Sequence, residues 1–82
     1  MLKEIVVEYF ALLMQEAKIS KETVLTQAET VDVLYHELKK NYGFSLSSKQ
    51  VKAAINHKLV ANWNTPISSG DHILFIPPLV GG

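Results

Sequence analysis

The sequence predicts a small α+β domain in which one long helix packs across a mixed β-sheet. The chain has 82 residues, which is enough for one domain with a thin core. Residues 31–42 place apolar side chains along one stripe of a helix, and short alternating segments flank them on both sides. A helix with one apolar face needs a sheet beneath it, so these patterns indicate a two-layer domain.

The N-terminal third predicts a strand, a short helix and a second strand. Residues 2–10 alternate with period two, and residues 21–26 are rich in Thr and Val, so these two segments predict antiparallel strands. Good helix formers fill residues 11–18. The first strand should turn its purely apolar set to the core: Ile5, Val7 and Tyr9. The alternate set, which ends at Phe10, should face water or a partner.

The main helix has the clearest pattern in the chain. Its apolar stripe consists of Val31, Leu34, Tyr35, Leu38 and Tyr42. Thr30 suits the N-cap, and Gly43 suits the left-handed position after the last turn. The helix is therefore predicted to occupy residues 31–42.

The rest of the chain completes the sheet. Residues 44–50 predict a loop, residues 51–56 a third strand with Ala54 on its outward face, and residues 59–63 a short fourth strand. Trp63 is expected to be a partly buried loop aromatic. The last strand should cover residues 72–76, with Ile76 outward.

This order of elements is the β-grasp, or ubiquitin-like, arrangement, with a mixed sheet of four to five strands packed against one main helix. The predicted domain covers residues 1–77. A flexible, extended tail follows at residues 78–82.

Composition excludes several classes of function. Without Cys, the chain has no thiolate for catalysis or metal binding, and without Arg and with zero net charge it lacks a nucleic-acid footprint. No apolar run is long enough for a membrane span, and the N-terminus lacks a signal-peptide layout, so a cytoplasmic protein is expected. His36, His57 and His72 match no metal motif, and carboxylate residues are not clustered with them, so no metal site is predicted.

The C-terminal tail is the strongest functional signal. Pro77 and Pro78 cannot donate to a β-ladder, so they end the last strand and hold the tail extended. Two apolar residues and two glycines follow, and a tail without bulky ends can enter a narrow channel. The terminal carboxylate is ionised at neutral pH and can attack an activated phosphate as a nucleophile.

Several segments together resemble the small subunit of molybdopterin synthase, the MoaD-like branch of the ubiquitin-like sulfur carriers. The matching segments are Tyr9-Phe10-Ala11, Thr30-Val31 with Leu34 and Leu38, Ala54-Ile55-Asn56, Leu59-Val60, and residues 67–73 and 75–82 with their Gly-Asp turn, Pro-Pro and terminal Gly-Gly. The resemblance covers nearly the whole chain. The sequence departs from the family at Met14-Gln15, where Arg-Glu is frequent, at Ile76, where an aromatic is common, and at Leu79-Val80.

The resemblance implies a sulfur carrier with no catalytic residues and no bound cofactor of its own. An E1-like enzyme would use ATP to adenylate Gly82, and a sulfur-donor protein would then convert it to a thiocarboxylate. The tail, with Gly81, Val80 and Leu79, would enter the active site of a large catalytic subunit. There sulfur would pass to precursor Z, within a heterotetramer of two small and two large subunits.

The outward face of the sheet supplies the candidate docking surface. An exposed apolar patch on a small protein usually marks an interface. The residues predicted to contact the large subunit are Phe10, Leu59, Ile76, Pro77 and Pro78.

Two alternatives remain open from the sequence. The same carrier chemistry could serve thiamin synthesis, tRNA thiolation or conjugation to proteins. The chain could also be a β-grasp binding module with an inert tail, because chain ends often fray.

Overall fold

Five strands and two helices make up residues 1–78, the part of the chain that the computed structural model describes. The strands are β1 (Lys3–Tyr9), β2 (Lys21–Thr26), β3 (Lys52–Ile55), β4 (Lys58–Leu59) and β5 (His72–Ile76). The helices are α1 (Ala11–Ala17) and α2 (Val31–Tyr42), and a 3₁₀ turn covers Ser48–Gln50.

The strands form one mixed sheet in the order β2-β1-β5-β3-β4. β1 and β5, the first and last strands in sequence, pair in parallel at the centre, and the other pairs are antiparallel. Parallel neighbours need a crossover connection, which here includes α2. The predicted β-grasp fold is therefore confirmed, with five strands.

Helix α2 and the sheet enclose the core. The predicted stripe is buried from Val31 to Leu38, and Tyr42 packs half-buried at its end. From the sheet, Ile5, Val7, Ile73 and Phe75 are completely buried. Burying each such side chain contributes about 1.5–3 kcal/mol, so this layer contact supplies much of the stability.

Both ends of α2 are fixed as the sequence predicts. The hydroxyl of Thr30 accepts a hydrogen bond from the amide of Val33 at 3.2 Å. Gly43 has a φ of 71° and donates its amide to the carbonyl of Lys39 at 2.7 Å. These contacts satisfy backbone groups that the helix itself leaves without partners.

The predicted fourth strand over residues 59–63 is too long, because β4 has only two residues. The chain beyond it turns toward α2 instead. The amide of Asp32 donates to the carbonyl of Trp63 at 2.9 Å, and the amide of Val31 donates to Thr65 at 3.2 Å. This segment satisfies the first amides of α2, and Trp63 is half-buried as predicted.

Two residues are more buried than their predicted positions imply. Ala54 lies on the outward face of β3 but is only 4% exposed, because it pairs with Leu74 on one side and Leu59 on the other. Phe44, in the predicted loop, is 2% exposed and stacks on Tyr35 with ring centroids 5.9 Å apart. Hydrophobic periodicity could not predict the burial of either residue, because Ala54 is a small residue on the outward face and Phe44 lies in a loop.

The turn before β5 is tied to β1. The amide of Asp71 donates to the carbonyl of Ser68, and Gly70 has a φ of 94°, as the third position of a type II turn requires. The amide of Gly70 donates to Glu4 at 2.7 Å, and the hydroxyl of Ser69 accepts from the same residue. The turn therefore sets the position at which β5 begins.

Replacing Gly70 by Ala tests this constraint. An added Cβ meets no atom within 4 Å, so its cost comes from the left-handed backbone alone. We expect the free energy of unfolding in urea to fall by about 1–2 kcal/mol. Gly70→Asn is the control and should retain more of the stability, because Asn tolerates this conformation better. Equal stability of Gly70→Ala and the wild type would contradict the requirement.

Three tyrosine hydroxyls donate hydrogen bonds to acceptors in or beside the core. The hydroxyls of Tyr9 and Tyr42 donate to the same carboxylate oxygen of Glu22, at 2.5 and 2.6 Å, and Tyr35 donates to the carbonyl of Leu46 at 2.7 Å. Burial, together with the charge of Glu22, raises the pKa of Tyr9 well above its ordinary value and that of Tyr42 to about 12. Burial raises the pKa of Tyr35 to about 12.

Stability should therefore fall in alkaline solution. Unfolded tyrosines lose their protons near pH 10, whereas the folded ones keep them, so the stabilisation is complete below pH 10 and is lost as the pH rises toward 12. Each tyrosine should lower the free energy of unfolding by up to about 1.4 kcal/mol per pH unit in this window. Urea unfolding between pH 8 and about 11 measures it. Tyr42→Phe should show a shallower decline, and a flat wild-type profile would contradict the prediction.

Candidate functional site: the tail exit and the outward face of the sheet

The tail leaves the domain from the centre of the sheet. β5 lies between β1 and β3, and its side chains Ile73 and Phe75 are completely buried. The strand ends at Ile76, and it is followed by Pro77, which is buried, and Pro78, which is exposed. The described chain therefore reaches the surface at Pro78, directly after a strand that is held on both edges.

The predicted tail residues lie outside the described part of the chain. They are Leu79, Val80, Gly81 and Gly82. Their roles stay predictions, and the site described below is the surface from which they extend.

Apolar side chains gather on the outward face of the sheet beside this exit. In register, Leu74 of β5 is adjacent to Ala54, which is adjacent to Leu59 of β4. Phe10 follows the end of β1, next to Ile76. The outward patch consists of Phe10, Leu59, Leu74 and Ile76.

The outward patch is open to solvent within the described residues. Phe10 is 37% and Leu59 is 70% exposed, while Leu74 and Ile76 are half-buried. Helix α1 leaves Phe10 exposed, because its buried residues, Leu13 and Ala17, point into the core. Of the predicted docking residues, the structure brings Phe10 and Ile76 together, places Leu59 two strands from Ile76, and buries Pro77 beneath the surface.

An apolar groove of about 330 Å³ lies at the exit itself. Phe10, Ala11, Ile76 and Pro77 line it, so Pro77 contributes its floor. An apolar, open groove at the start of a tail can receive an apolar side chain of a docking protein.

Helix α1, which follows Phe10 directly, also carries exposed side chains. Met14 is 39% exposed and Gln15 is also exposed, at the positions where the chain departs from the family pattern. Leu12 is 39% exposed as well. These side chains offer packing rather than charge to a partner.

Leu74 was not among the predicted docking residues, although alternation along the last strand places it on the same outward face as Ile76, two residues away. The strand pairing that joins Leu74 to Leu59 through Ala54 needed the structure.

Two of the histidines each have one carboxylate neighbour. His36 Nδ1 lies 3.5 Å from Asp32 Oδ1 on α2. His72 Nε2 lies 3.0 Å from Glu8 Oε1 on the outward face, and the ring of His57 packs edge-on against His72 at 5.7 Å. Parallel pairing brings β1 beside β5, and this pairing brings Glu8 to His72. No group of three metal-ligating side chains forms within residues 1–78.

The comparisons with known proteins decide the family. The ThiS family model matches residues 7–82, which is nearly the whole chain. The chain belongs to the ThiS family. This is a family of ubiquitin-like sulfur carriers, and the predicted resemblance is confirmed at this level. A search of curated proteins found no match.

Solved structures agree with this membership. The putative molybdopterin converting factor subunit 1 from Pyrococcus furiosus is 25% identical, with a TM-score of 0.75 over 94% of this chain and 99% of that one. Subunit 1 in the complex of molybdopterin-converting factor subunits 1 and 2 from Helicobacter pylori is 26% identical, with a TM-score of 0.65 over 96% and 99%. SAMP1 from Haloferax volcanii shares the fold at 20% identity and a TM-score of 0.77, over 96% and 99%.

The helices of residues 1–78 are short. None is both long and apolar enough to cross a membrane.

The outward patch should be dispensable for folding. Leu59→Ser should change the free energy of unfolding by less than about 0.5 kcal/mol, because the side chain is mostly exposed. Leu34→Ala, in the core, should lose about 2–5 kcal/mol. Urea unfolding of both variants measures the contrast. A large loss with Leu59→Ser would show that Leu59 serves the fold rather than a partner.

Proposed function

We propose that this chain is the small, sulfur-donating subunit of a molybdopterin synthase. Its C-terminal Gly82 is adenylated by an E1-like enzyme and converted to a thiocarboxylate. The tail then delivers this sulfur to precursor Z in the large subunit, which forms the molybdopterin dithiolene. The chain supplies no catalytic side chain, and the ATP belongs to the activating enzyme.

One observation carries the proposal. The central strand β5 brings the chain to the surface at Pro78, beside an apolar outward patch that is partly open to solvent. A carrier requires these two features together, a docking surface and a tail that starts next to it. The length from Pro78 to Gly82 allows a reach of about 13 Å when extended.

The relatives support the choice of acceptor. The two solved structures at 25% and 26% identity are both molybdopterin converting factor subunits, and one is in a complex with subunit 2. We therefore assign the outward patch to the large subunit and expect two small and two large subunits in the complex. Pro77-Pro78 and the nearly full-length resemblance favour this acceptor over thiamin synthesis.

The chemistry needs only the terminus from this chain. The ionised carboxylate of Gly82 attacks the α-phosphorus of ATP, and pyrophosphate leaves. A persulfide of the donor protein then attacks the acyl-adenylate, and AMP leaves, which gives an acyl disulfide. A thiol then attacks the donor's sulfur in this disulfide, so that the thiocarboxylate leaves and the donor remains joined to the thiol as a disulfide. Glycine leaves the reacting carbonyl open to attack, because it has no side chain.

The intact mass of the protein after co-expression with the activating enzyme and a sulfur source tests the conversion of Gly82 to a thiocarboxylate. The wild type should become heavier by the difference between one sulfur and one oxygen atom. Deletion of Gly82 should abolish molybdopterin formation, because the terminus then ends about 3.5 Å short of its position. Leu59→Ser is the control, since it should keep the mass gain and weaken binding to the large subunit.

The outcomes separate the alternatives. A thiocarboxylate without molybdopterin formation would identify a carrier for another acceptor. No mass gain under conditions that thiolate a known carrier, or synthesis that survives deletion of Gly82, would contradict the carrier function and leave a binding module.

A further inference from the structure

Two lysines stand at the base of the tail, and the proposed chemistry gives them no role. A groove of about 590 Å³ lies between the 3₁₀ turn and the last described residues. Lys49 and Lys52 line one wall, and Ile76, Pro77 and Pro78 line the other. Any protein that receives the tail has to pass next to these two cations.

Both lysines are anchored on rigid backbone. Lys52 pairs with Ile76 in the register of β3 and β5, on the outward face. Lys49 lies in the 3₁₀ turn, where the amide of Ser47 donates to the side chain of Gln50 at 3.0 Å and the amide of Gln50 donates back to the carbonyl of Ser47. Fixed backbone lowers the entropy that docking would otherwise cost.

Both side chains are also exposed, and within residues 1–78 neither makes an ion pair. In the sheet register, the acidic residue nearest to Lys52 lies on β1, on the far side of the central strand β5. It is Glu8, which is already paired with His72. The outward patch therefore has two lysine ammonium groups on its β3 side, beside the tail. On its β1 side it has a carboxylate that is already paired with a histidine.

We propose that Lys49 and Lys52 bind an acidic rim around the entrance through which the large subunit takes the tail. This inference rests on the proposed function and names the chemistry of its partner surface. Docking of the outward patch removes water from this region, and a cation that loses water needs a compensating charge. An apolar partner surface would leave both ammonium groups without one.

The pair should act mainly on the rate of association. Charges at the rim of an interface steer encounter, and they change the association rate constant and its salt dependence more than the dissociation rate. Steering toward the entrance brings the tail close to its channel before the apolar contacts form. The lysines would then orient the carrier as well as attract it.

Association kinetics of the full-length protein with the large subunit from the same organism test the proposal. The double variant Lys49→Glu with Lys52→Glu should associate about 10-fold or more slowly at low salt. The difference should nearly vanish at about 1 M salt, where the Debye length is about 3 Å. Lys49→Arg with Lys52→Arg should retain the wild-type rate, because the charges remain.

Lys40→Glu is the matched control. Lys40 is exposed on α2, which packs against the opposite face of the sheet. This variant carries the same change at one site and should bind at the wild-type rate. Thermal unfolding of each variant establishes that the fold is intact before rates are compared.

Each result decides a separate point. If the double variant Lys49→Glu with Lys52→Glu associates at the wild-type rate at low salt, the acidic rim is overturned and the proposed function stands. If Lys40→Glu slows association as much as the double variant does, the effect comes from net charge alone, and the acidic rim is again overturned. Failure of the wild type to bind the large subunit would overturn both proposals. Self-association that Lys52→Glu abolishes would assign the surface to a second copy instead.

Discussion

The parallel pairing of β1 with β5 is the constraint on which the rest of the structure depends. It places Val7 beside Ile73 and Tyr9 beside Phe75, all 0–1% exposed, at the centre of the sheet. Because the two strands come from opposite ends of the chain, closing this contact requires the crossover that carries α2. The same contact fixes where β5 ends. The position at which the tail starts is therefore set by the same pairing that builds the core.

This arrangement separates stability from recognition across the thickness of the sheet. The inward face holds the helix, the aromatic cluster around Tyr35 and the Glu22 carboxylate that two tyrosines share. The outward face holds the outward patch, the Glu8–His72 pair and Lys52. Substitutions on the outward face can therefore alter partners without much loss of stability. A small domain has little stability to spare, so this separation suits the carrier function proposed above.

Local sequence patterns predicted most of the helices and strands. What these patterns could not predict depends on contacts between segments that are distant in sequence. The stripe from Val31 to Leu38, with Thr30 and Gly43 at its ends, defines α2 without reference to the rest of the chain. The length of β4 could not be predicted this way, because the carbonyls of Trp63 and Thr65 are used by the first turn of α2. The burial of Phe44 and the pairing of His72 with Glu8 likewise need partners far away in sequence. At the site, alternation predicted that Phe10 and Ile76 face outward. The groove beside Lys49 needed the structure, because the residues that line it come from two segments that are distant in sequence.

The composition of the tail suits the proposed recognition by the body of the domain. From Pro78 to Gly82 the sequence has no charged side chain, so the terminal carboxylate that we propose to react is the only charge there. A charged side chain near that end would have to lose water inside a narrow channel, at a cost of several kcal/mol without a partner. In the proposed complex, long-range attraction would therefore come from residues that stay outside the channel. Within residues 1–78, Lys49 and Lys52 line the groove beside Pro78 at the base of the tail. With a neutral tail and a charged base, the proposed surface would guide the approach while the terminus keeps the form that the chemistry needs.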